Sequence, residues 1–164
     1  MQLTILDLAA RWLHIAGVLV WIGHNWANVV NHPTYRRVLP QDPPEVARAM
    51  FVAASKREHG VFRYASLAVW ASGVIMLWIR GEVLDAYMLS GPARWIGVGV
   101  WSGTIMIFNL WFILWPHQKK VLGFIEATNS ERLRCTRITF LSSRTNSFLS
   151  LATLFFMVAG EHAT

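Results

Sequence analysis

The sequence predicts an all-α fold, specifically a four-helix transmembrane bundle with short amphipathic helices on the cytoplasmic side. More than half of the 164 residues are hydrophobic, only 15% are charged, and uncharged apolar runs of about twenty residues recur along the chain. A helix of that length crosses a hydrocarbon core of about 30 Å. We therefore expect a single integral membrane domain over residues 1–164, with spans at about 8–30, 61–79, 95–115 and 138–160.

The first predicted span carries polar side chains along one stripe. His14, Trp21, Asn25 and Asn28 share this stripe at helical spacing, and His24 lies on the adjoining face. Polar groups that face lipid leave their hydrogen bonds unmade, so the stripe should face other helices. The acidic residue Asp7 and the absence of an early basic region argue against a cleaved signal peptide.

The second span follows a segment that begins at Pro43-Pro44, a pair typical of a helix start. This segment either lies on the inner membrane surface or leads straight into the span. Within the span a second inward line is predicted, formed by residues at helical spacing: His59, Arg63, Ser66, Trp70 and Gly73.

The third span contains a single strongly polar residue, Asn109, which needs a partner on a neighbouring helix. Gly99 and Gly103 form a GxxxG spacing that permits close helix packing. The span ends in the sequence WPHQKK at 115–120, whose aromatic and cationic residues predict a membrane boundary.

The fourth span is interrupted by Arg144, which we expect to extend to the inner headgroups. Asn129-Ser130 is the predicted cap of a helical segment before this span. Basic residues concentrate in the two long connections, after the first and third spans. The positive-inside rule therefore predicts cytoplasmic long loops and both termini on the outer side. The same distribution in loops argues against nucleic-acid binding.

The histidines suggest a cofactor site. His14, His59 and His24 are the candidate residues for holding a haem b or for lining a polar pocket. A second group is expected near the inner ends of the helices, where His32, His117, Asn109 and Arg144 would form an inner-face pocket. The single cysteine, Cys135, excludes a disulfide within the chain and a CxxCH haem attachment. No metal site is predicted, because no carboxylate lies inside a span.

The order of short motifs resembles the membrane domain of the bacterial cytochrome c-type urate hydroxylases. The similar stretches cover nearly the whole chain: RWLHI at 11–15, HGVFRY at 59–64, GTIM at 103–106, PHQKK at 116–120 and RTNSFLSLATLFFM at 144–157. The resemblance implies a bacterial inner membrane protein, in a cytoplasmic or photosynthetic membrane, that oxidises urate and passes electrons to a cytochrome c domain. Gly97 and Thr145 stand about where that family carries histidines, and no cytochrome c domain is expected in these residues.

Three functions remain open from the sequence. The first is a subunit of a respiratory or photosynthetic electron-transfer complex that carries one haem b. The second is a non-catalytic accessory subunit that stabilises an assembly by helix packing. The third, weaker reading is a urate-oxidising membrane enzyme. The expected partners are the lipid bilayer, other membrane subunits and, in the redox reading, a cytochrome c; whether the chain is an enzyme is left open.

Overall fold

The structure, a computed structural model, describes the backbone of residues 5–31 and 45–162, and within these the side chains of 5–30, 56, 60–160 and 162. The described part is all-α and contains no strand. Its elements are α1 (Ile5–Asn31), α2 (Glu45–Arg80), α3 (Val83–Met88), α4 (Arg94–Phe108), a π-helical turn (Asn109–Leu114), α5 (Trp115–Val121) and α6 (Asn129–His162).

Within the described residues, three helical stretches are long and apolar enough to cross a membrane: Ile5–Val30, Gly60–Arg80 and Arg94–Val121. Helix α6, at 34 residues, is about 51 Å long and also exceeds the membrane thickness. Its composition is more polar because its packed face carries small hydroxyl and amide side chains, among them Ser142, Asn146 and Ser150. The crossing of the membrane by α6 therefore stays a prediction.

The amphipathic segments predicted before the second and fourth spans are extensions of those helices. Helix α2 runs without a break from Glu45 to Arg80, so its first part leads straight into the span. Helix α6 is likewise continuous from Asn129. Its predicted cap is one residue too late: the Thr128 N–H donates to Glu131 Oε2 at 2.9 Å, and the Glu131 N–H donates to Thr128 Oγ1 at 3.3 Å. This reciprocal pair is a capping box.

The helices pack around a core that includes Trp21 of α1, Phe62 and Val69 of α2, and Met106 and Leu110 of the third span. The inward stripe of α1 is confirmed at Trp21 and Asn25, which are buried. The inward line of α2 was predicted wrongly at Trp70, which is 42% exposed. The buried line instead follows Phe62, Ser66 and Val69, the spacing that keeps one helical face towards a neighbour.

Close contacts between the third span and its neighbours depend on glycines. A Cβ at Gly160 would lie 2.7 Å from the Ile96 amide nitrogen, and a Cβ at Gly99 would lie 3.1 Å from the Met157 methyl carbon. Gly99 therefore allows α4 and α6 to pack closely, as its GxxxG spacing predicted. Gly103 contributes less, because its nearest neighbour would be Thr153 at 3.9 Å.

The third span changes its winding before Pro116. The π-helical turn Asn109–Leu114 lies between α4 and α5 and ends just ahead of the proline. In an α-helix the proline ring clashes with the carbonyl four residues earlier, here Phe112, and it donates no hydrogen bond. A wider turn at this point accommodates the ring while the helix continues, which π-helical insertions commonly do.

A buried polar network joins this turn to α6. Asn109 Nδ2 donates to Asn146 Oδ1 at 2.7 Å and to the Ser142 carbonyl at 2.9 Å. Ser142 Oγ donates to Asn109 Oδ1 at 2.8 Å, and Asn146 Nδ2 donates to the Met106 carbonyl at 3.1 Å. The predicted need of Asn109 for a partner on another helix is thus met within the protein.

Candidate cofactor site

His14 of α1 is anchored to α2 by its Nδ1 atom. This nitrogen lies 2.9 Å from the Val69 carbonyl oxygen and 3.2 Å from Ser72 Oγ. A carbonyl only accepts, so the hydrogen bond to Val69 requires that Nδ1 carry the proton. In the neutral ring Nε2 then has a free lone pair, the form in which histidine coordinates a metal.

Gly73 leaves the space that the His14 ring occupies. A Cβ at position 73 would lie 3.2 Å from His14 Cε1 and 3.5 Å from Nδ1, closer than most side chains tolerate. The predicted inward position of Gly73 therefore has a specific consequence: α2 lets the imidazole lie directly against its backbone. Val69 and Gly73 thus both lie against the Nδ1–Cε1 edge of the ring.

The same imidazole lines a cavity of about 240 Å³ between α1, α2, α4 and α6. Its walls are predominantly apolar and include Val18, Gly99, Met106 and Met157, with Thr153 and the His14 ring among the polar contributors. Apolar walls with few polar groups are typical of cofactor and small-molecule sites.

A second cavity of about 360 Å³ adjoins the first, because His14, Gly73 and Met157 line both. Its rim carries the basic residues Arg11 and Arg80 together with His162. Together the two cavities form an apolar chamber with a cationic opening at the ends of α1, α2 and α6 that carry Arg11, Arg80 and His162. We call this space the His14 chamber.

The other two cofactor candidates are His24 and His59. Both the ring face and the Nε2 atom of His24 are engaged by neighbouring side chains. Its ring stacks on Phe62 with centroids 4.1 Å apart, and its Nε2 lies 2.8 Å from Asn28 Nδ2, which donates to it. A ring nitrogen that accepts this hydrogen bond is not available to a metal. His59 lies in α2, ten residues before Val69, and its side chain is outside the described residues. Ten helical residues span about 15 Å, so His59 and His14 belong to different depths.

The members of the predicted inner-face pocket lie in separate contacts. His117 Nδ1 donates to the Ile113 carbonyl on its own helix, and Asn109 belongs to the buried network with Asn146. Arg144 lies against Phe140 and donates to the Asn28 carbonyl at 3.5 Å. His32 is outside the described residues. Neither cavity of the His14 chamber is lined by His117, Asn109 or Arg144.

Sequence reasoning did not predict the surroundings of two residues in and beside the chamber. Trp21, which the sequence placed on the inward stripe, lines the first cavity, and among the described residues its buried Nε1 atom has no hydrogen-bond acceptor. Asp7, buried at the start of α1, accepts a hydrogen bond from Arg11 Nε at 2.8 Å. The spacing of Asp7, Arg11 and His14 on one helical face was the available signal for this arrangement.

Gly97 explains one departure from the family pattern. A Cβ at this position would lie 2.2 Å from the Ala86 carbonyl oxygen of α3. Helix α3 therefore packs on α4 where the resemblance suggested a histidine, and no side chain fits there without moving α3. Thr145 is exposed and donates to the Leu141 carbonyl on its own helix.

These features define a class: an all-α membrane protein with a histidine-walled apolar chamber between its helices. Residues 63–164 match the family model described as urate oxidase, N-terminal. The chain belongs to this urate oxidase N-terminal family, which confirms the resemblance given by its motifs. No curated protein and no solved structure matches the chain.

Proposed function

We propose that this chain is a membrane-embedded electron-transfer subunit that binds one haem b, with His14 as an axial ligand. The observation that carries the proposal is the hydrogen bond from His14 Nδ1 to the Val69 carbonyl, which leaves Nε2 to the apolar chamber. Metal-binding histidines usually hold their second nitrogen in this way, since it fixes both the tautomer and the ring plane.

The residues around the chamber fit such a group. Apolar walls suit a porphyrin face, and the glycines Gly73, Gly99 and Gly103 keep the walls open. Arg80 at the opening supplies a cationic partner for a propionate group, and Arg11, whose Nε atom is bound to Asp7, lies beside it.

Two other side chains with ligand atoms line the outer part of the chamber, Met157 and His162. The Nδ1 atom of His162 donates to the Val158 carbonyl at 2.9 Å, so its Nε2 is also directed away from its own backbone. Haem b, when bound, supplies one-electron transfer, and the identity of the second ligand tunes its reduction potential. The protein's own contribution is to orient the imidazole, exclude water and neutralise the carboxylates.

The proposal includes a setting for the chain. The basic connections favour a bacterial inner membrane with both termini on the periplasmic side. The resemblance of the motifs to the cytochrome c-type urate hydroxylases supports a cytochrome c as electron acceptor, and residues 1–164 contain no CxxCH attachment sequence.

The test is the reduced-minus-oxidised visible spectrum of the protein purified with its native partners. We expect the α-band of a b-type haem, lost in His14→Ala and retained in His117→Ala, a matched histidine that does not line the chamber. A spectrum without this band in the wild-type preparation would overturn the haem proposal and favour the accessory-subunit alternative.

The cationic opening of the chamber favours one further candidate activity, oxidation of urate by the chain itself, in which the two electrons removed from urate would pass to an external oxidised cytochrome c. Urate is a planar anion at neutral pH, and Arg11, Arg80 and His162 offer it hydrogen-bond donors. Loss of the ultraviolet absorbance of added urate in the presence of oxidised cytochrome c, dependent on the purified protein and abolished in Arg80→Gln, would support this activity.

A further inference from the structure

The end of the bundle that carries the 122–128 connection holds a group of cations stacked on aromatic rings. Arg63 lies over the Trp115 ring, with its guanidinium carbon 3.7 Å from the ring centroid. Lys119 Nζ is 6.0 Å from the centroid of the same ring. Lys56 Nζ lies 4.7 Å above Phe124, and Phe124 meets Trp115 edge to face at 5.8 Å between centroids. We call these five residues the Trp115 cluster.

The three cations of the cluster have no anionic partner among the described residues. The Arg63 side chain makes no hydrogen bond there, and its Nε atom is buried without an acceptor. The nearby carboxylate of Glu131 is bound by Thr128 and Lys120. Aromatic faces hold a cation in place but do not neutralise its charge. The cluster is therefore a fixed, uncompensated positive site.

Its depth places it at a membrane surface. Arg63 is three residues inside the span Gly60–Arg80, and Trp115 is six residues from the end of the span Arg94–Val121. Tryptophan rings at this level lie among lipid headgroups. A second aromatic ring of the same helix, Trp111, also faces Arg63 at 5.2 Å. The guanidinium is thus held between α2 and the third span, at the depth of the lipid headgroups.

We propose that the Trp115 cluster is a binding site for the phosphate of an anionic phospholipid. Basic pockets between membrane helices bind such headgroups, and a planar guanidinium matches two phosphate oxygens. Lys119 and Lys56 add point charges on either side of the ring pair. The acyl chains would lie along the exposed apolar residues of the two spans, including Tyr64, Phe108 and Phe112. This proposal is independent of the haem proposal, because no residue of the cluster lines the His14 chamber.

The test is native mass spectrometry of the full chain in detergent, with titration of phosphatidylglycerol against phosphatidylcholine of the same acyl chains. We expect one phosphatidylglycerol retained per chain and weaker retention of phosphatidylcholine. Lys119→Gln, a partly exposed position, should weaken phosphatidylglycerol retention roughly fivefold, since one interfacial cation contributes about that factor. Arg63→Lys, which keeps the charge and loses the planar fork, should weaken it as well.

The matched control is Arg94→Gln, because Arg94 lies 5.7 Å above Trp95 at the opposite end of the same span. This variant should retain phosphatidylglycerol like the wild type. Equal retention of the two lipids by the wild type would overturn the proposal. Wild-type retention of phosphatidylglycerol by both Lys119→Gln and Arg63→Lys would also overturn it. So would equal thermal stabilisation by inorganic phosphate or glycerol phosphate, which would assign the site to a free phosphate compound.

Discussion

Asn109 and Asn146 face each other inside the bundle, where the amide nitrogen of the first donates to the amide oxygen of the second at 2.7 Å. Both side chains are buried, and both also bond a backbone carbonyl of the opposite helix. In the interior of a membrane protein a buried amide has no water to bond. The pair therefore fixes the relative position of the third span and α6.

Replacement of Asn109 by leucine should lower the free energy of unfolding by about 1–2 kcal/mol, because Asn146 and Ser142 each lose their partner. Unfolding in mixed detergent micelles measures this change. Thr145→Val serves as control, since Thr145 is exposed on α6, and it should change the free energy by less than about 0.5 kcal/mol. Equal stability of the two variants would contradict the structural role of the pair.

Gly160→Ala should destabilise the contact between α4 and α6. Its new Cβ would lie 2.7 Å from the Ile96 amide nitrogen, and a backbone atom cannot rotate away. Overpacking of this kind costs about 1–3 kcal/mol. Gly23→Ala is the matched control, because nothing lies within 4 Å of its added Cβ, and alanine favours the helix. A thermal melt in detergent should show a lower midpoint for Gly160→Ala only.

Gly73→Ala should weaken haem binding while the bundle stays folded. The added methyl group would meet the His14 ring at 3.2 Å and turn it from its position on Val69. Disturbing the group that orients a ligand lowers metal affinity roughly tenfold or more. The haem-to-protein ratio after titration measures this effect. Gly60→Ala on the same helix meets nothing within 4 Å and should bind haem as the wild type does.

The start of α6 should respond to acid through Glu131. Hydrogen bonds from the Thr128 N–H and hydroxyl, followed by the charge of Lys120, lower the pKa of Glu131 below its ordinary value. A lowered folded-state pKa means that the stabilisation is fully present above the ordinary glutamate pKa and is lost as the pH falls through the lowered value.

Amide hydrogen exchange at the first turn of α6 measures this dependence. Protection, corrected for the intrinsic exchange rate at each pH, should decrease as the pH falls below the ordinary glutamate range. In Glu131→Gln the same amides should show little dependence over this interval. A wild-type profile as flat as that of Glu131→Gln would contradict the capping role.

Hydropathy alone predicted the first three spans, which lie in α1, in α2 and in the continuous stretch from α4 to α5. It could do so because apolar composition over about twenty residues is a local property. The inward positions of Asn25 and Asn109 followed from the cost of a polar group in lipid. Helix α3 and the π-helical turn were not predicted. Helix α3 has only six residues, and the turn depends on how the chain adjusts ahead of Pro116.

Of the residues that line the chamber, the sequence named His14 as a candidate ligand and placed Trp21 and Gly73 on inward lines. The sequence placed Gly73 on an inward line, but the contact of this glycine with the imidazole depends on the distance between α1 and α2. Gly97 was compared with a histidine position because a sequence does not reveal that the Ala86 carbonyl occupies the space. At Gly73 and Gly97 the need for glycine depends on neighbouring atoms from residues distant in the sequence.

Gly97→His is therefore expected to lower the stability of the protein and to add no haem ligand. The new side chain has to displace α3, whose Ala86 is fully buried. The thermal midpoint and the haem content of the purified variant measure both effects. A variant with wild-type stability and an additional haem signal would contradict the packing of α3 on α4.

The acceptor that holds His14 is a main-chain carbonyl, and every amino acid at position 69 would provide one. No single substitution there removes the hydrogen-bonding group, so the protonation pattern of the imidazole is protected from mutation as long as α2 keeps its path. Natural selection for this hydrogen bond would act on the path of α2. Substitutions of Val69 that fill the same space in the core should therefore keep the hydrogen bond to His14.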